Sequence, residues 1–142
     1  AYEIGVRLVG SEMCIRDSTK TGGIRIVVNS EYMPERSNPT KSRFFYAYHI
    51  TIHNEGNQPA KLLSRYWHIT DAEGNVEEVR GPGVVGYQPR LEPGESFNYT
   101  SFCPLMTEFG VMHGMFNMVR DDGEKFDALI KPFKLAVPFS VN

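Results

Sequence analysis

Apolar and polar residues alternate in short runs along most of this chain, and turn-forming residues separate the runs. Such period-two alternation, rich in aromatic and β-branched side chains, is typical of half-buried β-strands. The clearest run follows Arg43. It predicts a strand whose buried face is formed by Phe44, Tyr46, Tyr48, Ile50 and Ile52. His49, Thr51 and His53 fall on the opposite face of that strand.

Six further runs show the same period and complete the set of predicted strands. They cover residues 24–28, 62–69, 76–80, 95–102, 111–119 and 125–137. In the second of them, Leu63, Trp67 and Ile69 are expected to share one face, with Trp67 in the middle of the core. In the last, the parity of the apolar positions changes across Pro132, which indicates a bulge or an edge strand.

The sequence shows no convincing helical period, so an all-β fold is predicted. Seven to eight short strands joined by turns favour a two-sheet antiparallel sandwich over a barrel. We expect an immunoglobulin-like or fibronectin type III-like architecture, without the paired cysteines of an antibody domain.

Length and charge narrow the classes of function. The chain has 142 residues and a mass of 16.1 kDa, which suits one domain with one core. Its net charge of -2 provides no general attraction to nucleic acid, so no nucleic-acid partner is expected. No apolar run approaches the roughly 20 residues that span a bilayer.

Apart from Cys14, the only cysteine is Cys103, which is expected to be buried. A single thiol outside the first 21 residues suits a protein of the reducing cytoplasm.

The first 21 residues differ in character from the rest of the chain. They lack the basic start, apolar stretch and cleavage site of a secretory signal. The string VGSEMCIRDS within them resembles a translated sequencing adapter. We therefore expect residues 1–21 to be a non-native segment or a disordered tail, and residues 22–142 to form the domain.

The segment GPGVVG contains a GxGxxG string and is the first candidate for a phosphate-binding loop. A nucleotide-phosphate loop needs a helix to follow its glycines, and here a proline-bearing, strand-like sequence follows. The segment is instead expected to form a tight loop across one end of the sandwich. With Arg80 beside it as a charge partner, the candidate ligand or partner loop consists of Arg80, Gly81, Gly83 and Gly86.

No catalytic or metal-binding constellation is predicted. His49 and His53 share a strand face but lie about 13 Å apart, too far to bind one ion by themselves. A histidine from another strand, such as His68, would have to join one of them. No nucleophile elbow of the GxSxG type appears, so we expect no catalytic residues, no bound metal and no cofactor.

The stretch from Leu62 through Leu105, preceded by YMPERSNP and followed by KPFKLAVP, closely resembles the bacterial ApaG family. The resemblance covers about Gly23 to the C-terminus. It implies a fibronectin-type or immunoglobulin-like β-sandwich and an association with cobalt resistance and magnesium efflux. Related domains in eukaryotic F-box and polymerase-interacting proteins imply a protein-interaction module.

Two positions depart from the family pattern. Tyr66 replaces the usual histidine of an SRHW string, which weakens any histidine-dependent role there. Phe102 stands where a glycine commonly precedes Cys103, which can alter packing around the thiol.

The function that we expect is a non-enzymatic binding module in divalent-cation (Co²⁺ or Mg²⁺) homeostasis. It would act through an unidentified protein partner or a small anion such as pyrophosphate or a nucleotide. The alternative is a nucleotide or pyrophosphate hydrolase that uses GPGVVG and Arg80, and direct Co²⁺ or Mg²⁺ binding is a third hypothesis. Edge strands also allow a homodimer.

Overall fold

The computed structural model describes residues 14–138, which form an antiparallel β-sandwich. Its strands are β1 (Cys14–Thr21), β2 (Ile24–Tyr32), β3 (Phe44–Asn54), β4 (Ala60–Asp71), β5 (Val76–Pro82), β6 (Arg90–Leu91), β7 (Ser96–Leu105), β8 (Phe109–Arg120) and β9 (Lys125–Ala136). Two short 3₁₀ turns, Pro34–Arg36 and Pro39–Lys41, lie between β2 and β3. The predicted all-β fold is confirmed. Two of the nine described strands do not correspond to any of the seven predicted runs, namely β1 and the two-residue β6.

Each of the two sheets contains only antiparallel pairs. The first sheet has the strand order β1-β2-β3-β7. The second has the order β5-β4-β8-β9, and β6 pairs with the beginning of β4. β1 contacts β9, so these two edge strands lie on one lateral side of the sandwich, and β7 and β5 lie on the other.

The core lies between the inner faces of the two sheets, as the alternation predicted. Trp67 is 2% exposed and contacts Tyr48, Phe116 and Phe133 at ring-centroid distances of 5.4, 6.3 and 6.0 Å. All three contacts are edge-on, an arrangement that aromatic rings prefer. The prediction that Trp67 occupies the middle of the core is confirmed.

The prediction that Leu63 shares the inner face with Trp67 is wrong. The register between β4 and β8 shifts between Leu62 and Ser64, so Leu63 is an extra, bulged residue. Leu62 takes the inner position instead and is 0% exposed. A bulge reverses the parity of a strand, and this one allows both Leu62 and Trp67 to face the core.

The irregularity predicted at Pro132 is confirmed. The register between β8 and β9 shifts between Met112 and Gly114, opposite residues 130–133. Ile130 and Phe133 are both buried, although they are three positions apart and would face opposite sides of a regular strand. In the described part of the chain β9 is also an edge strand of its sheet, as expected for a strand that contains proline.

Strand β1 lies within the segment predicted to precede the domain. It pairs with β2 along its length, and the hydroxyl oxygens of Thr19 and Thr21 accept hydrogen bonds from the backbone amides of Lys131 and Leu129 in β9. The domain boundary at residue 22 stays a prediction. Residues 1–13 lie outside the described residues.

Candidate functional site

The predicted ligand loop covers the end of β5 and the tight turn that follows it. Val84 and Tyr87 exchange two backbone hydrogen bonds of 2.8 Å, which leaves Val85 and Gly86 as the two turn residues. Both have positive φ, 41° for Val85 and 87° for Gly86. Two consecutive positive φ angles are the mark of a type I′ hairpin turn, which glycine favours at its second position.

The glycine at position 83 has a separate structural reason. Its φ is 62°, and a Cβ atom there would lie 2.3 Å from the carbonyl oxygen of Tyr87. Its amide donates to the carbonyl of Leu63 at 2.9 Å. Gly83 therefore lets the backbone return closely past Tyr87, as the sequence analysis expected of a tight loop.

Three of the loop amides that could cradle a phosphate already have partners within the chain. The amides of Gly83, Val84 and Tyr87 donate to backbone carbonyls. The chain then continues to β6, with no helix after the glycines. The expectation that this GxGxxG string lacks its helix is confirmed, and the loop does not have the structure of a nucleotide-phosphate loop.

Arg65, which the sequence analysis did not select, holds this loop in place. Its guanidinium nitrogens lie within 3.1 Å of where a Cβ on Gly81 would be, so it rests flat against that glycine. Nη1 donates to the carbonyls of Pro82 at 3.1 Å and Gly83 at 3.0 Å. In sequence Arg65 is marked only as an arginine two residues before Trp67, and its role depends on the pairing between β4 and β5.

Arg80 lies on the other face of the sheet from Arg65. It is next to Gly81 in a strand, so their side-chain directions are opposite. The Arg80 guanidinium carbon lies 4.3 Å from the ring centroid of Tyr66, whose hydroxyl donates to the Glu78 carboxylate. That hydrogen bond raises the pKa of the Tyr66 phenol. The structure thus brings Gly81 and Gly83 together with Arg65, and places Arg80 in a surface cluster with Tyr66 and Glu78.

The tip of the loop exposes apolar side chains. Val85 is 50% exposed and Tyr87 is 61% exposed, while Val84 between β5 and the turn is fully buried. The Tyr87 ring lies 5.8 Å from that of Phe97 in β7. An anchored backbone thus presents two apolar side chains to solvent. Contact of a ligand or partner with the candidate loop stays a prediction.

The structure divides the histidines between two surfaces. His49 and His53 face outward from the first sheet, where His49 contacts the Glu31 carboxylate at 2.7 Å. His68 and His113 pair across β4 and β8 in the second sheet, and their rings stack at 4.6 Å. His68 therefore does not join His49 or His53. Among residues 14–138, no group of three His, Cys, Asp or Glu side chains is placed to hold a metal ion.

Cys103 is 4% exposed, as expected of a buried thiol, and burial raises its pKa to about 12. Phe102 faces the opposite way and is 44% exposed. Its ring lies 5.5 Å from that of Phe45 on the outer face of the first sheet. The departure from the family pattern at Phe102 therefore changes the outer surface and not the surroundings of the thiol.

Comparison with known proteins identifies close relatives of the chain. The family model for the ApaG domain matches residues 34–120. A protein ApaG of Anaeromyxobacter dehalogenans is 56% identical over 122 residues, which cover 86% of this chain and 96% of the relative. A protein ApaG of Azotobacter vinelandii is 54% identical over 119 residues, which cover 84% and 94%.

A solved structure extends this similarity to three dimensions. The crystal structure of an ApaA protein from Bordetella pertussis is 45% identical in sequence, with a TM-score of 0.80. The match covers 88% of this chain and 97% of that one.

None of the helices among residues 14–138 has the length and the hydrophobicity that a membrane span requires.

Proposed function

The chain belongs to the ApaG domain family, and from this membership we propose that it is a non-enzymatic binding module. The contact surface that we propose is the tip loop, defined as residues 81–87. Its partner is a protein, and the complex acts in the cytoplasm in Co²⁺ and Mg²⁺ homeostasis. The link to divalent cations rests on the family resemblance.

One observation carries the choice of a protein over a small anion. The amides of Gly83, Val84 and Tyr87 are bonded within the chain, whereas the side chains of Val85 and Tyr87 face solvent. A phosphate would need the amides, and a protein partner would bury the side chains. Because the turn is already closed by two hydrogen bonds, ordering it on binding costs little conformational entropy.

A matched pair of valines provides the test. Val85 in the tip loop and Val76 at the far end of β5 are 50% and 55% exposed. Immobilised wild-type protein and the variants Val85→Ser and Val76→Ser are used to capture proteins from an extract of the source cell. We expect a partner that the wild type and Val76→Ser retain and that Val85→Ser loses. Equal capture by the two variants would refute the tip loop as the contact surface.

The small-ligand and hydrolase alternatives are tested on the same protein. Thermal unfolding is followed with pyrophosphate, nucleotides, Co²⁺ and Mg²⁺, since a ligand at 100 times its dissociation constant stabilises by about 2.7 kcal/mol. We expect no rise in the midpoint that Arg80→Ala abolishes. Phosphate release from a nucleotide that Arg80→Ala abolishes would overturn the non-enzyme proposal.

A further inference from the structure

A surface depression of about 400 Å³ lies at the end of the sandwich where β3 begins and β7 ends. Its lining includes Arg36, Ser42, Arg43, Leu105 and Met106. The tip loop lies toward the other end, because the chain leaves it for β6, which pairs with the beginning of β4. The depression is therefore separate from the proposed contact surface, and its volume falls in the range of small-molecule sites.

The polar wall of the depression consists of Arg36, Ser42 and Arg43. Among the described residues, no hydrogen bond or ion pair engages the side chains of Arg36, Ser42 or Arg43. The Arg36 guanidinium carbon lies 4.6 Å from the ring centroid of Phe45 and 5.3 Å from that of Phe102. Stacking on aromatic faces fixes the plane of a guanidinium and leaves its N–H edge free for an oxyanion.

The local charge also favours an anion. Residues 34–43 contain three basic side chains, Arg36, Lys41 and Arg43, and one acidic side chain, Glu35. This local excess of positive charge stands on a chain whose net charge is -2. Two guanidinium groups beside one depression match the oxygens of a phosphate or carboxylate.

The remaining wall is apolar. At the base of the depression, Leu105 belongs to the hydrophobic core and Phe44 packs against that core. Met106 lies at the rim of the depression and is 75% exposed. A methionine side chain is flexible and adapts to apolar ligands of different shape. An inorganic anion would leave this part of the surface uncovered.

We infer that this depression binds a small organic anion, in which a phosphate or carboxylate group bonded by Arg36 and Arg43 is joined to an apolar body that covers Leu105 and Met106. The site goes beyond the proposed function, since it uses no residue of the tip loop. Binding here and partner contact there can therefore fail separately.

The test uses four probes at constant ionic strength. Phenyl phosphate and phenylacetate carry both halves of the ligand, and inorganic phosphate and benzyl alcohol carry one half each. Binding is followed by the NMR signal of the Met106 methyl group in the full chain. We expect a saturable shift with phenyl phosphate or phenylacetate, and the tighter of the two identifies the anionic group. Each half-ligand is expected to bind at least about tenfold more weakly, since it loses either the charge-assisted hydrogen bonds or the apolar contact.

Substitution of single arginines by glutamine shows where the probes bind. Arg36→Gln is expected to weaken binding about tenfold or more, the loss of one charge-assisted hydrogen bond. Arg80→Gln is the matched control, because Arg80 also stacks on an aromatic ring but on the second sheet. If Arg36→Gln does not fold, Arg43→Gln provides the same comparison. The proposal is overturned if no probe gives a saturable shift, if inorganic phosphate alone binds as tightly as the tighter phenyl probe, or if Arg36→Gln and Arg80→Gln behave alike.

Discussion

The carbonyl oxygen of Tyr87 occupies the space that a side chain at Gly83 would need. A Cβ atom on Gly83 would lie 2.3 Å from that oxygen, far inside van der Waals contact. Gly86, three residues further on, also has a positive φ, but no atom lies within 4 Å of the position of its Cβ. The two glycines of the tip loop are thus required for different reasons.

Gly83→Ala is expected to destabilise the fold much more than Gly86→Ala. The first change adds a backbone collision to the strain of a positive φ, and should cost about 3 kcal/mol or more. The second adds only the strain, about 1–2 kcal/mol. Urea unfolding of both variants measures the difference. Equal losses would show that the turn relaxes around Gly83.

Arg65→Gln is expected to open the tip loop without unfolding the sandwich. The variant removes the hydrogen bonds from Nη1 to the carbonyls of Pro82 and Gly83 and leaves those carbonyls to water. Because Arg65 is partly exposed, the expected loss is about 1–2 kcal/mol. Hydrogen exchange at Val84 and Tyr87 should accelerate. Arg80→Gln, on the outer face, should leave these rates unchanged, and a similar acceleration in both variants would contradict the assignment.

Alternation along single strands was enough to predict the sandwich and most of its core. Each strand buries one face, so Ile50 and Trp67 could be assigned from their own neighbours in sequence. Leu63 could not, because Leu62 beside it is equally apolar, so either residue could take the inner position and only the register between β4 and β8 decides. The parity change at Pro132 was visible because no apolar alternation connects Ile130 with Phe133 across Lys131 and Pro132.

The candidate site was predicted only in part, for a related reason. Glycine and proline specify backbone conformation locally, so a tight loop at Gly83 and Gly86 followed from the sequence. Arg65 acts on that loop from a strand sixteen or more residues away, through a pairing with Gly81 that only the fold creates. The same applies to Arg36, whose aromatic partners Phe45 and Phe102 lie on two different strands.

Cys103 is expected to be unreactive in the folded protein. Burial raises its pKa to about 12, so almost no thiolate forms near pH 8, and the sulfur is also inaccessible to reagents. A Cys14→Ser variant isolates the signal of Cys103 for titration with an aromatic disulfide. The thiol should react only after addition of denaturant. Reaction of the native variant within the mixing time would show that β7 opens locally.

Asp71→Asn is expected to lower stability at neutral pH but not in acid. The Asp71 carboxylate accepts hydrogen bonds from Asn75 and from the backbone amide of Glu73, and these hold its pKa below the ordinary value of 3.8. A carboxyl whose pKa is lowered by folding contributes stability above about pH 4, and this contribution is lost as the pH falls through the lower, folded-state pKa. The unfolding free energies of the two proteins should therefore differ at neutral pH and approach each other as the pH falls below about 4. A constant difference across this range would argue against the carboxylate hydrogen bonds.

A chain that begins at residue 22 is expected to fold, but with a lower free energy of unfolding than one that begins at residue 14. Among the residues whose burial the structure describes, the core begins at Ile24, so removal of β1 leaves each of these core residues in the chain. What is lost with the strand is its pairing with β2, the hydrogen bonds of Thr19 and Thr21 to β9, and an exposed ion pair between Lys20 and Glu55. Edge hydrogen bonds contribute about 1 kcal/mol each, and exposed ion pairs less.

Urea unfolding should show one cooperative transition for both chains, with the shorter one at a lower midpoint. Loss of that transition in the shorter chain would show that β1 is an integral strand of the domain, and that the boundary predicted at residue 22 is wrong.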